Sequence, residues 1–96
     1  MENLKRLRSI FKERNTLVDM DSFIDALGER HVISVVEDME LKRKKDYNGK
    51  VDETFFILFK TNARSTMPIL MDILKKMERE DIIATLQEYG ELFSYE

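Results

Sequence analysis

The chain has no cysteine, no tryptophan, one proline, one histidine and three glycines. Without cysteine there is no disulfide framework, no thiolate metal site and no sulfur nucleophile. His31 has no second imidazole to work with, so a structural role in the turn after a helix is expected for it. No G-x-S-x-G turn is present to hold a nucleophilic serine. No apolar run approaches the ~20 residues of a membrane span. Met1–Arg14 spreads its charges where a signal peptide would carry an apolar block. Low proline and glycine, with no low-complexity tract and no internal repeat, argue against a linker or disordered tail. Asp19, Asp21 and Asp25 invite a calcium reading. An EF-hand loop starting at Asp19 wants glycine sixth and glutamate twelfth, and Ile24 and Arg30 stand there. No enzyme activity, cofactor, metal or membrane span is therefore expected, and a cytoplasmic location is.

What the chain does have is charge and helical periodicity. Ninety-six residues make one domain, 1–96, with a single core. The net charge of −3 is mild, but its signs are segregated. Lys5, Arg6, Arg8, Lys12 and Arg14 make the first segment basic. Asp19, Asp21, Asp25, Glu29, Glu37, Asp38 and Glu40 follow with Arg30 the only basic residue among them, and Lys42–Lys45 reverses the sign again. Such segregation suits a partner with the complementary pattern, a second copy included.

Six short helices are predicted. The first covers 3–18, with Leu4, Leu7, Ile10, Phe11, Leu17 and Val18 inward and a break near Asn15–Thr16. The second, 20–28, has Met20, Phe23, Ile24 and Leu27 at the i, i+3, i+4, i+7 spacing, with Gly28 as its left-handed stop. Ser34 caps a third helix over 35–44, whose Val36 and Met39 are expected to face inward. Tyr47-Asn48-Gly49 reads as a turn. The fourth helix, 50–60, carries Val51, Phe55, Phe56, Ile57, Leu58 and Phe59 nearly all round it and is expected to be buried. Thr61–Ser65 reads as a loop, with Ser65 or Thr66 capping a fifth helix that has Pro68 in its first turn. Its inner stripe is Met67, Leu70, Met71, Leu74 and Met77, and the methionines are read as core fillers. The sixth helix covers 81–89, with Ile82, Ile83, Leu86 and Tyr89 inward and Gly90 ending it; Leu92 and Phe93 either fold back on the bundle or belong to an interface. Short loops between such helices imply an all-α globular bundle.

The outer faces supply the functional candidates. The second and third helices present Asp21, Asp25, Glu29, Glu37 and Asp38 as an acidic face. Arg8, Lys12, Lys42, Arg43 and Lys50 are the candidates for a basic one. The alternative is a small helical nucleic-acid-binding protein using Lys42–Lys45. Against it, the neighbouring carboxylates repel phosphates, and a recognition helix at 35–44 would lead with Glu37, Asp38 and Glu40.

The order of these pieces resembles a caspase recruitment domain, a member of the death-fold superfamily, over about Leu4 to Tyr89. The likeness runs through the basic first helix, Phe23-Ile24-Asp25-Ala26-Leu27, the turn Val32-Ile33-Ser34, the acidic third helix and the apolar fourth at Val51–Phe59. It continues through Leu70–Leu74 to Asp81-Ile82-Ile83-Ala84-Thr85-Leu86. The Val-Ile-Ser turn and fourth-helix pattern favour recruitment domains over death-effector and pyrin domains. The resemblance implies a six-helix antiparallel Greek-key bundle with a bent first helix. It also implies homotypic docking, in which a basic patch of helices one and four meets an acidic patch of helices two and three. By position, Asp25 and Asp38 match acidic contacts, and Arg8 and Lys12 fall in the basic region. The fourth helix departs from the pattern, with Asp52 and Glu53 where basic residues are common, which leaves it only Lys50 and Lys60, or has Lys42–Lys45 take over that charge. The implied role is an adaptor, or a stand-alone regulator or decoy, in apoptotic or inflammatory signalling. The implied partner is another recruitment-domain protein, whether caspase, adaptor or scaffold, or the chain itself.

Overall fold

Four of the six helices begin where a side chain offers an oxygen to the free N–H groups of the first turn. The computed structural model describes residues 2–88, and among them lie six helices and no strand. They are α1 (Glu2–Phe11), α2 (Met20–Glu29), α3 (Val35–Arg43), α4 (Tyr47–Leu58), α5 (Ala63–Lys76) and α6 (Glu80–Gln87). Asp19, Ser34, Asp46 and Asn62 cap α2, α3, α4 and α5. The Ser34 cap is reciprocal. Its Oγ accepts from the Glu37 N–H at 3.1 Å, and the Glu37 carboxylate accepts from the Ser34 N–H at 2.8 Å.

The first helix stops at Phe11, before the expected break, and Leu17 is 65% exposed where an inward position was expected. Two side chains from elsewhere hold the connection to α2. The Tyr47 hydroxyl donates to the Phe11 carbonyl at 2.6 Å and accepts from the Val18 N–H at 3.0 Å. The Arg79 guanidinium donates to the Thr16 and Leu17 carbonyls at 2.5 and 2.6 Å. These bonds satisfy backbone groups that the helix has released, and they hold Leu17 at a positive φ of 30°.

At the far end of α2 the left-handed residue is His31, with φ of 60°, and not Gly28, which stays helical. The Val32 N–H closes the helix on the Leu27 carbonyl at 2.9 Å, a Schellman ending. Gly28 serves packing instead. A Cβ there would lie 3.1 Å from an Asp38 carboxylate oxygen, so its absence lets α2 and α3 come together. Glu78 plays the His31 role after α5, with φ of 61° and an Arg79 N–H to Leu74 carbonyl bond of 2.8 Å.

Two other boundaries differ from expectation because a cap outranks local propensity. Tyr47, Asn48 and Gly49 form the first turn of α4, since Asp46 accepts the Gly49 N–H at 2.9 Å. Asn62 starts α5 ahead of Ser65, which puts Pro68 in the second turn, on an exposed side of the helix. Thr66 is buried inside α5, and its hydroxyl donates to Thr61 Oγ1, which donates to the Leu58 carbonyl at the end of α4. Tyr89, Gly90, Leu92 and Phe93 lie outside the described residues.

Helix α1 packs against α4, α5 and α6, and α2 packs against α3, α4 and α5. Phe11 joins the two groups. Its ring meets Phe23 of α2 at 5.1 Å and Phe55 of α4 at 5.2 Å, both edge-on. The same core holds Leu4, Leu7, Ile24, Leu27, Leu58, Leu70 and Leu74, all fully buried. Two helices bury less than expected. Leu41 is the buried residue of α3, while Val36 and Met39 are exposed. In α4 the buried face is Val51, Thr54, Phe55 and Leu58; Phe56 is exposed, with the Lys60 ammonium 4.4 Å above its ring.

Two stability changes follow. Replacing Tyr47 with Phe leaves the Phe11 carbonyl and the Val18 N–H without their partner, a loss of about 1–3 kcal/mol. Urea denaturation should register it, and amide exchange at Val18 should quicken. Thr54 is fully buried, and its hydroxyl has no hydrogen-bond partner among the described residues. The isosteric Thr54→Val change should therefore stabilise the fold by about 1 kcal/mol, moving the urea midpoint upward with an unchanged slope.

Candidate interaction surface

Amphipathic spacing on α2 puts its carboxylates opposite its core residues, and the Ser34 cap brings the first turn of α3 alongside. Asp21, Asp25 and Glu29 are exposed along α2, and Glu37 and Asp38 are half-buried on α3. Asp25, Glu29 and Asp38 border one groove, while Glu37 lines a different cleft, and two lysines reach the carboxylates of α2 and α3. The Lys42 ammonium hydrogen-bonds the Asp25 carboxylate and lies 3.1 Å from Asp38. Those two carboxylates, Asp25 first, hold the Lys42 ammonium above its ordinary pKa. Lys50, projecting from α4, lies 2.7 Å from Asp21. Glu37 is engaged in the α3 cap, and Glu29 makes no ion pair among the described residues. The face remains net negative.

The basic candidates do not form one patch. Arg8 and Lys12 come together on α1, and both converge on one oxygen of Asp52, at 2.6 and 2.8 Å. Of the two unexpected acidic residues of α4, Asp52 partly neutralises the basic side of α1, and Glu53 faces Lys44. The Asp52 pairing also leaves the α2–α3 carboxylates to other partners. Lys42 and Lys50, grouped by sequence with the positive face, are placed among the negative side chains. Arg43 borders a separate cleft of about 460 Å³ between α3 and α4, with Glu37, Glu40, Lys44, Glu53 and Ile57. His31 is exposed in the turn after α2.

Three contributors were missed from sequence. Val35, next to the α3 cap, is 77% exposed and borders the acidic residues. Asp72 pairs with Arg30 at 2.6 Å, tying α5 to the end of α2. Arg79 braces the α1–α2 connection and pairs with Asp81 at 3.0 Å. Nothing local distinguishes Asp72 and Arg79, since they act on Arg30 and on the Thr16 and Leu17 carbonyls, far from them in sequence.

No helix among the described residues is long and apolar enough to cross a membrane. None of their acidic and histidine side chains gathers in a group of three or more that could hold a metal ion.

The ion pairs set the acid response. Asp52 is held below the ordinary carboxylate pKa by hydrogen bonds from Lys12 and then Arg8. Asp19 is lowered by Ser22, Asp72 by Arg30 and Asp81 by Arg79. A depressed folded-state pKa contributes stability that is present above the unfolded value and lost as pH falls through the folded one. Stability should therefore decline as pH drops below about 4, the ordinary aspartate value. Asp52→Asn should flatten part of that decline, read from urea midpoints measured across the acid range. An unchanged acid limb in the variant would remove Asp52 from this account.

Comparison with protein-family models, with curated proteins and with solved structures finds no match to this chain.

Proposed function

We propose that the chain is a protein–protein interaction module of the recruitment-domain type, its six helices arranged as the antiparallel Greek-key bundle of the death fold. It docks on another recruitment domain, or on its own copy, as an adaptor, regulator or decoy in apoptotic or inflammatory signalling in the cytoplasm. One observation supports this reading: Asp25, Glu29 and Asp38 border one open groove between α2 and α3, while Arg8 and Lys12 converge on Asp52. The six-helix architecture and the interruption after α1 agree with it.

Each exposed ion pair in such a contact contributes little, about 0–1 kcal/mol. Specificity and encounter rate come from the pattern of sign, and strength comes from repetition when contacts do not close on themselves. On this reading Asp25, Glu29 and Asp38 receive a partner's cations, while Arg8, Lys12 and Arg43 are offered to the acidic face of a neighbour. The nucleic-acid alternative loses ground on geometry. Lys42 is engaged by Asp25 and Asp38, and Lys44 lies 3.8 Å from Glu53. The basic run is thereby split.

The test titrates the chain against a panel of recruitment domains by biolayer interferometry, with light scattering to follow the chain alone. At least one domain, or the chain itself, should bind in a salt-sensitive way. Reversing Asp25 and Glu29 to Lys should weaken that binding by about tenfold or more while shifting the melting temperature little, because both carboxylates are exposed. Binding that survives the double reversal, or no binding at all across the panel and to itself, would overturn the proposal.

A further inference from the structure

Helix α3 carries a second apolar edge that the fold does not use. Val35 and Met39, one helical turn apart, are 77% and 55% exposed. Single exposed apolar residues are ordinary on a protein surface. These two border the same open groove of about 570 Å³, between the end of α2 and the start of α3, over the buried side chain of Ile33. Its carboxylates are Asp25, Glu29 and Asp38; His31 also lines it, and no lysine or arginine does. Asp25 and Asp38 already hold one cation between them, the Lys42 ammonium, which reaches them from the last turn of α3.

We propose that this groove receives one turn of a cationic amphipathic helix from a partner protein. An aliphatic side chain of that helix lodges between Val35 and Met39 over Ile33, and its arginine displaces Lys42 from Asp25 and Asp38. The proposal rests on the reading that a cationic partner docks on the α2–α3 face, and it adds what that partner must carry. Shape supplies the helix, because a concave groove beside a helix takes the convex ridge of another. Charge supplies the arginine. Its planar fork can engage two carboxylates at once, where the lysine ammonium is a point charge on a flexible stem. A second copy fits poorly. Its exposed Phe56 is an aromatic ring already covered by the Lys60 ammonium, and the apolar residues of its cationic helix α1 are all buried. Its exposed Leu17 lies on irregular backbone, not on a helix. Lys42 is then a resident competitor, which the incoming cation must replace before it binds.

The probe is a synthetic helical peptide with two leucines one turn apart, flanked by arginines, followed by fluorescence anisotropy at physiological ionic strength. A control peptide has both leucines changed to alanine. The leucine peptide should bind at least about tenfold more tightly than the control, and Met39→Glu should remove most of that advantage. Lys42→Gln should tighten binding by about threefold or more, because the competitor is gone. Both substitutions are at exposed positions, and circular dichroism checks that they leave the fold intact. Equal binding of the two peptides, or indifference to Met39→Glu, would overturn the groove. Weaker or unchanged binding by Lys42→Gln would overturn the displacement. Self-association of the chain that Met39→Glu abolishes would overturn the choice of partner. A recruitment domain that binds while the peptide does not would sink this inference and leave the docking reading standing. Peptide binding with no recruitment domain bound would do the reverse.

Discussion

Phe11 is where the helices of this chain meet. Its ring lies edge-on to Phe23 and Phe55, so one side chain joins α1 to α2 and α4. Its carbonyl, freed by the end of α1, is taken by the Tyr47 hydroxyl, whose pKa is raised by burial. The two contacts reinforce each other. A backbone group released beside packed aromatic rings must find a partner in the protein, because leaving it unbonded there is costly. Tyr47 supplies that partner because Asp46 starts α4 early enough to bring the ring in. The position of the acidic face follows from the same point, since the link that Tyr47 and Arg79 hold delivers the chain to Asp19 and the start of α2.

The surface charges are organised as local neutralisation. Arg8 and Lys12 share Asp52, Lys42 bridges Asp25 and Asp38, and Lys50 meets Asp21. All of these groups are at least partly in water, so the pairs contribute modestly to stability and weaken with salt. Their larger effect is on what a partner would encounter. A face whose carboxylates are already bridged by lysines selects for a partner that can replace those lysines. Bare negative charge would discriminate less.

Much of the fold was legible in the sequence because short helices with one apolar stripe announce themselves. The inward residues of α2 and the Ser34 cap lie where the spacing placed them, and all six helices are present. The errors concentrate where two readings of one residue compete. Gly28 looked like a helix stop because glycine tolerates left-handed backbone, yet it stays helical close beside Asp38, and His31 turns the chain instead. Val36 and Met39 have the spacing of a buried edge, but α3 lies on the outside of the bundle and buries Leu41. The apolar α4 was read as fully enclosed, although its two faces differ, with Phe55 inside and Phe56 outside.

The sequence by itself determined the six helices, the Ser34 cap and the acidic character of α2 and α3, because these depend on residues within one or two turns of each other. It also carried the signs of the charges, but not their pairing. Whether Asp52 meets Arg8 and Lys12, or Lys42 meets Asp25, depends on how helices far apart in the chain cross in space. Only the tertiary structure decided that, and with it which apolar residues of α3 remained uncovered. A periodic pattern states that a face is apolar; it takes neighbouring helices to cover that face or leave it to a partner.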